Sequence, residues 1–124
     1  MTTFDDIEEF RRSPEAMAFA SAWLAESKSP EACCAHMTNL AIWQKSNPHQ
    51  ALGIILNLID QVKEDEEVAE MIAMGPATEI VESTAGDFTP ILQQAISTYP
   101  MFALCTKWHR ENSADPRWAR LSKA

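Results

Sequence analysis

Four side chains in this sequence have the types and spacing to bind a metal or form a nucleophile. Cys33 and His36 stand three residues apart, and Cys105 and His109 stand four apart. Either spacing puts a thiol and an imidazole on one face of a helix. Together the four would make a tetrahedral zinc site, and either pair alone a cysteine nucleophile with its base. Zinc ligands, however, usually come in C-x₂₋₄-C pairs at turns, whereas these residues fall inside helical segments among core positions. Cysteine is also one of the most buried residue types, acting as a small hydrophobe. No third group that would orient either histidine can be named. No catalytic residue, metal ligand or cofactor is therefore assigned, and a small Cys/His metal-binding protein or enzyme stays an alternative reading.

Carboxylates are the next candidates. Glu64, Asp65, Glu66 and Glu67, with Glu70 one turn on, form an acidic ridge between two helices. General acid-base chemistry needs two carboxyls in contrasting environments within a cleft. A solvated run supplies charge instead, suited to the first turn of a helix or to a basic partner surface. Trp118 is a further contact candidate. It lies in the basic tail "DPRWARLSKA", where it shares a face with Leu121. The tail either docks on the body or presents Trp118 to another chain, tryptophan being a favoured hot-spot type.

The stretch "IAMGPATEIVESTAGDF" holds two of the three glycines. A phosphate loop needs closely spaced glycines or Gly-Lys-Ser/Thr. Here Gly75 and Gly86 are eleven apart with acidic flanks. Hinges fit better. Gly75 is expected in the left-handed position that ends one helix, and Pro76 starts the next. Gly86 stops that helix, and Asp87 is expected to cap the one after it.

The elements that position these groups read as helices. All seven prolines sit where a helix could begin. "SPEA" at Ser13 and again at Ser29, "NPHQ" at Asn47 and "DPRW" at Asp115 each pair a capping residue with proline. In "QALGIILNLIDQVKE", Gly53, Asn57, Asp60 and Glu64 make a polar stripe, and the wide apolar remainder predicts a central, buried helix. Met17, Ala20, Trp23 and Leu24 share one face, as do Cys33, Met37, Leu40 and either Ile42 or Trp43. Trp23 and Trp43 are expected in the core. Alternating β-branched runs are missing. The prediction is an all-α, single-domain bundle over residues 1–124: seven or eight short helices packed as antiparallel pairs. Residues 1–12 and 112–124 are expected to fray or to act as docking tails.

At 124 residues the chain can bury a real core. Its net charge of −8 is uneven: residues 1–99 carry 16 acids and 5 bases (−11), and residues 100–124 carry 2 acids and 5 bases (+3). An acidic body repels phosphate backbones and attracts basic surfaces, which argues against direct nucleic-acid binding. The acidic N-terminus lacks a signal-peptide pattern, and "ALGIILNLI" is too short to span a bilayer. Three cysteines, two of them adjacent, fit reduced thiols and a cytoplasmic location.

The middle of the chain, "IAMGPATEIVESTAGDF" followed by "ILQQAISTYPMF" and a later "KW", resembles a family of small uncharacterised bacterial all-helical proteins. Its members carry a Gly-Pro-Leu-Glu-Asp-Leu-Leu segment, then His-Gly, then an Asp-Pro-x-Phe helix ending near a tryptophan. Gly75, Pro76, Ile80, Val81, Gly86, Phe88, Pro100 and Phe102 match, and Trp108 matches in type. Trp43 and "SNPHQAL" resemble the segment before it. Ala77 and Thr78 depart from the Leu and Glu of the pattern, and Thr84-Ala85 depart from its polar residues. The resemblance covers residues 40–108 and implies a helical cytosolic protein. It carries no activity and no site residues.

Size, acidity and helical build point to a protein-binding protein of the bacterial immunity or antitoxin type, neutralising a basic toxin by direct contact. Glu64, Asp65, Glu66, Glu67, Glu70 and Trp118 are its expected contacts. A nucleic-acid mimic that inhibits a nucleic-acid-processing protein is the alternative from another class, and homo-oligomerisation stays open.

Overall fold

The computed structural model describes residues 3–28, 35–62, 65–84 and 86–121. The described chain is all-helical, without strands. In order the helices are α1 (Phe4–Arg11), α2 (Pro14–Ser27), α3 (Ala35–Ser46), α4 (Pro48–Val62), α5 (Glu66–Met74), α6 (Pro76–Ser83), α7 (Thr89–Thr98), α8 (Pro100–Asn112) and the single-turn α9 (Pro116–Ala119), with a 3-10 turn at Gly86–Phe88.

Proline and side-chain caps set the starts. Pro14, Pro76, Pro90, Pro100 and Pro116 each lie at the first or second position of a helix, and Pro48 opens α4. The second "SPEA", with Pro30, lies outside the described residues. Thr3, Ser13, Asp65 and Asp115 accept hydrogen bonds from the backbone of the first turns of α1, α2, α5 and α9. Each such cap contributes roughly 1 kcal/mol.

α4 is the hub. It packs against α1, α2, α3, α5, α6 and α8, and every residue from Ala51 to Ile59 is buried. The expected succession of pairs is thus gathered onto one shared helix. α1 lies over the polar stripe of α4. A Cβ at Gly53 would stand 2.8 Å from the Phe10 ring, so glycine there leaves room for that ring between the two helices. Further along the stripe, Asn57 Nδ2 donates to the Arg11 carbonyl at 2.7 Å, and the Arg11 guanidinium donates to Asp60 at 2.5 Å. Tyr99 donates its hydroxyl to Glu8. Burial and the Glu8 carboxylate together push that phenol well above its ordinary range. Phe4 and Ile7 are buried. Residues 3–12 are therefore docked, and fraying is not what the structure has there.

The other end is docked as well. Trp118 is completely buried and Leu121 nearly so. Trp118 Nε1 donates to the Glu82 carboxylate at 3.1 Å, and its ring stacks on His109 with centroids 4.8 Å apart. This corrects the reading of Trp118 as a partner contact: its apolar area is already spent on the body of the same chain.

Two details of the hinge cassette are corrected. Gly75 does separate α5 from α6, but at φ −103° and ψ −105°, not in the left-handed region. Its N–H donates to the Met71 carbonyl at 2.9 Å, and an added Cβ would stand 3.0 Å from that oxygen. Close approach, not handedness, is what favours glycine there. Asp87 is exposed in the 3-10 turn and caps nothing; Phe88 precedes α7, with no side-chain cap. At Gly86 a Cβ would meet only the guanidinium of Arg120. Among the described residues no helix is long and apolar enough to cross a membrane.

Candidate functional site

α8 carries two apolar faces. Phe102 and Thr106 point inward and are buried, and His109, one turn further, receives the Trp118 ring. Thr106 is satisfied within its own helix, its hydroxyl donating to the Phe102 carbonyl at 2.9 Å. The second face is Met101, Leu104, Cys105 and Trp108, spaced i, i+3, i+4, i+7, the pattern of a helix that expects a neighbour. α5 meets only part of it.

Where α5 and α8 touch, Ala69, Ala73 and Cys105 form a narrow floor, and the Cys105 thiol points at the Ala69 carbonyl, 3.9 Å away. Burial pushes that thiol up from its ordinary range. Above the floor two adjoining hollows of about 370 and 420 Å³ share Glu70, Ala73 and Cys105 and make one groove. Met101, Leu104 and Trp108 form its α8 wall, and Glu66, Glu70 and Met74 its α5 wall. Met74 is 73% exposed, Trp108 66% and Leu104 61%. These are the three most exposed large apolar side chains among the described residues, and all three line this groove.

The acidic ridge is placed beside it. Asp65 turns its carboxylate back to cap α5, accepting from Val68 N at 3.3 Å. Glu66, Glu67 and Glu70 are exposed. Glu66 and Glu70, one turn apart, stand on the groove wall; Glu67 faces a shallow hollow with Asp65 and Lys28. Glu64 lies outside the described residues. The ridge is thus divided between a capping role, a solvent face and the edge of an apolar groove.

The residues with chemical potential are not gathered. His109 lies between the rings of Trp108 and Trp118. His36 belongs to a different cluster: its Nδ1 is 2.5 Å from Glu26, whose carboxylate also accepts from the backbone N–H of His36 and Met37. Burial works to raise the Glu26 pKa. The hydrogen bonds from the His36 ring and from the Met37 and His36 amides outweigh it and hold the carboxyl below its usual range. Glu26 thereby closes the start of α3 against α2. Cys33 and Cys34 lie outside the described residues. Among the described residues no group of three or more His, Cys, Asp or Glu is placed to hold a metal ion.

Sequence reasoning missed Met74, Leu104 and Trp108. The signal was the i, i+3, i+4, i+7 spacing in α8, which reads as one more core stripe until Phe102 and Thr106 claim the interior. Comparison with protein-family models, with curated proteins and with solved structures finds no match for this chain.

Proposed function

We propose that this chain is an acidic cytosolic binding protein that neutralises a basic protein partner by direct contact, in the manner of a bacterial immunity protein or antitoxin. One observation carries the reading: the most exposed large apolar side chains among the described residues, Met74, Leu104 and Trp108, line a groove edged by Glu66 and Glu70. Apolar side chains supply the anchoring area of an interface, and surrounding carboxylates steer a basic partner toward it. The net charge of −8 extends that steering over the molecule. A phosphate mimic needs carboxylates alone, so the apolar wall favours an anchored protein partner over the nucleic-acid-mimic reading. The resemblance to small bacterial helical proteins through Gly75-Pro76 is compatible with the same role.

The test is co-expression with the proteins encoded beside this one. A neighbour that is toxic alone, becomes harmless with this chain and co-purifies with it is the expected outcome. The complex should survive moderate salt, because its anchor is apolar. If deleting this chain leaves cells insensitive to every neighbour and no complex forms, the proposal is wrong. Dissociation at modest salt that leaves no residual affinity would favour the phosphate mimic.

A further inference from the structure

We infer that the groove between α5 and α8 takes a basic amphipathic helix of a partner protein. The inference deepens the binding role proposed above and rests on it only for the partner's identity.

Three features specify the occupant. The first is the shape of the opening. Two helices side by side, with Ala69, Ala73 and Cys105 between them, leave a trough into which a third helix fits. From Met101 to Trp108 the α8 wall rises about 10 Å, two turns of helix. The second is the spacing of apolar groups. Met101, Leu104, Cys105 and Trp108 recur at helical period along the groove side of α8, and a helix laid against them presents its own apolar residues at i, i+3, i+4 and i+7.

The third is charge. The groove-wall carboxylates, Glu66 and Glu70, both stand on α5 at i, i+4. A helix lying along α5 meets them with Lys or Arg at the same spacing on one edge. An acidic edge at that position would face like charge. A nucleic acid would bring phosphate to the same carboxylates and offers no matching apolar stripe. A second copy of this chain carries −11 over residues 1–99, and α8 and α9 of its +3 segment (residues 100–124) are packed on its own body, which leaves a basic partner as the complementary one.

The probe is a synthetic 15-residue helical peptide with Leu at a and d positions and Lys on one flanking edge, together with a copy carrying Glu at those Lys positions. Binding is read on the full chain by nuclear magnetic resonance shift mapping and by peptide fluorescence anisotropy. The Lys peptide should perturb Met74, Leu104 and Trp108, and the Glu peptide should bind at least tenfold more weakly. Leu104→Glu should weaken the Lys peptide tenfold or more while melting stays unchanged, because that side chain is 61% exposed. Glu66→Lys with Glu70→Lys should reverse the preference between the two peptides. Perturbations elsewhere on the acidic surface, or a preference indifferent to the double reversal, would overturn the inference. The two proposals separate cleanly. A toxin complex untouched by Leu104→Glu leaves the binding role standing and removes the groove. Reversible peptide preference without any toxic neighbour does the opposite.

Discussion

Gly53 offers the sharpest test of how α1 is held on α4. A methyl group added there would stand 2.8 Å from Phe10 Cδ2, while the Ile7 carbonyl and the Arg11 amide remain at 3.5 and 3.6 Å. Carbon atoms prefer a separation of at least about 3.5 Å, so the Phe10 ring must retreat by roughly 0.7 Å. The backbone contacts are ordinary, so the obstacle is the ring alone. Overpacking of this kind costs about 1–3 kcal/mol. Against it, replacing a mid-helix glycine with alanine contributes about 0.8–1.0 kcal/mol in favour of the helix. Phe10 is only partly buried and can yield part of the way. The net expectation for Gly53→Ala is a loss of about 1 kcal/mol, or a drop in Tm of roughly 3–5 °C. Urea and thermal unfolding measure it. The decisive control is Phe10→Ala: without the ring, Gly53→Ala should become stabilising by about 1 kcal/mol, a change of sign in a double-mutant cycle. If Gly53→Ala stabilises the chain with Phe10 in place, the Phe10 ring does not press on α4 at Gly53.

Trp118→Ala should destabilise by about 3–5 kcal/mol, as loss of a fully buried aromatic does, and chemical unfolding would show it; a cost below about 1 kcal/mol would mean that the tail is not docked. Gly75→Val should cost about 1–3 kcal/mol because its Cβ crowds the Met71 carbonyl, which cannot rotate away. Gly86→Val should change melting by no more than about 0.5 kcal/mol, since only the flexible Arg120 guanidinium is in the way, and equal effects at the two glycines would refute the distinction. Hydrogen bonds from the Arg117 side chain and then from its backbone hold the Asp115 carboxyl at about 2. Its contribution to stability is therefore complete above the ordinary carboxylate pKa of about 4 and is lost as pH falls toward 2. Acid titration followed by near-ultraviolet circular dichroism should show the tail loosening in that window, and Asp115→Asn should flatten that part of the curve. Glu26 and Asp6, also held below their usual range, act in the same direction.

Local chemistry made the element boundaries legible. A proline after Ser13, Asn47, Gly75, Tyr99 or Asp115 opens a helix because proline lacks the N–H that a first turn leaves unpaired. The burial of α4 was readable too, since its apolar face is too wide for a surface helix. What escaped were decisions made by distant partners. Asn57 is buried because the Arg11 carbonyl, 46 residues away, accepts its proton. Met17 and Ile42 follow apolar spacing yet are 49% and 55% exposed, because their helices turn Ala16 and Gln44 inward instead. The two tail-end tryptophans were the hardest. Trp118 found Glu82 and His109, while Trp108, one ring away, was left outside. The acidic ridge could be named from sequence, but only the packing of α5 on α8 sets Glu66 and Glu70 beside an apolar wall.

The place of α4 in the chain has a consequence for synthesis. Its neighbours α1, α2 and α3 leave the ribosome before it, and α5, α6 and α8 follow. An emerging chain that has cleared the ribosome only as far as Val62 can cover α4 on one side only, and the helices that shield the rest have yet to emerge. Until α8 arrives the nascent protein carries a bare strip of its most apolar helix, and that interval is when chaperone capture or aggregation would compete with folding. Released chains truncated near residue 75, which have α4 but lack α8, should bind a hydrophobic dye that full-length chains ignore.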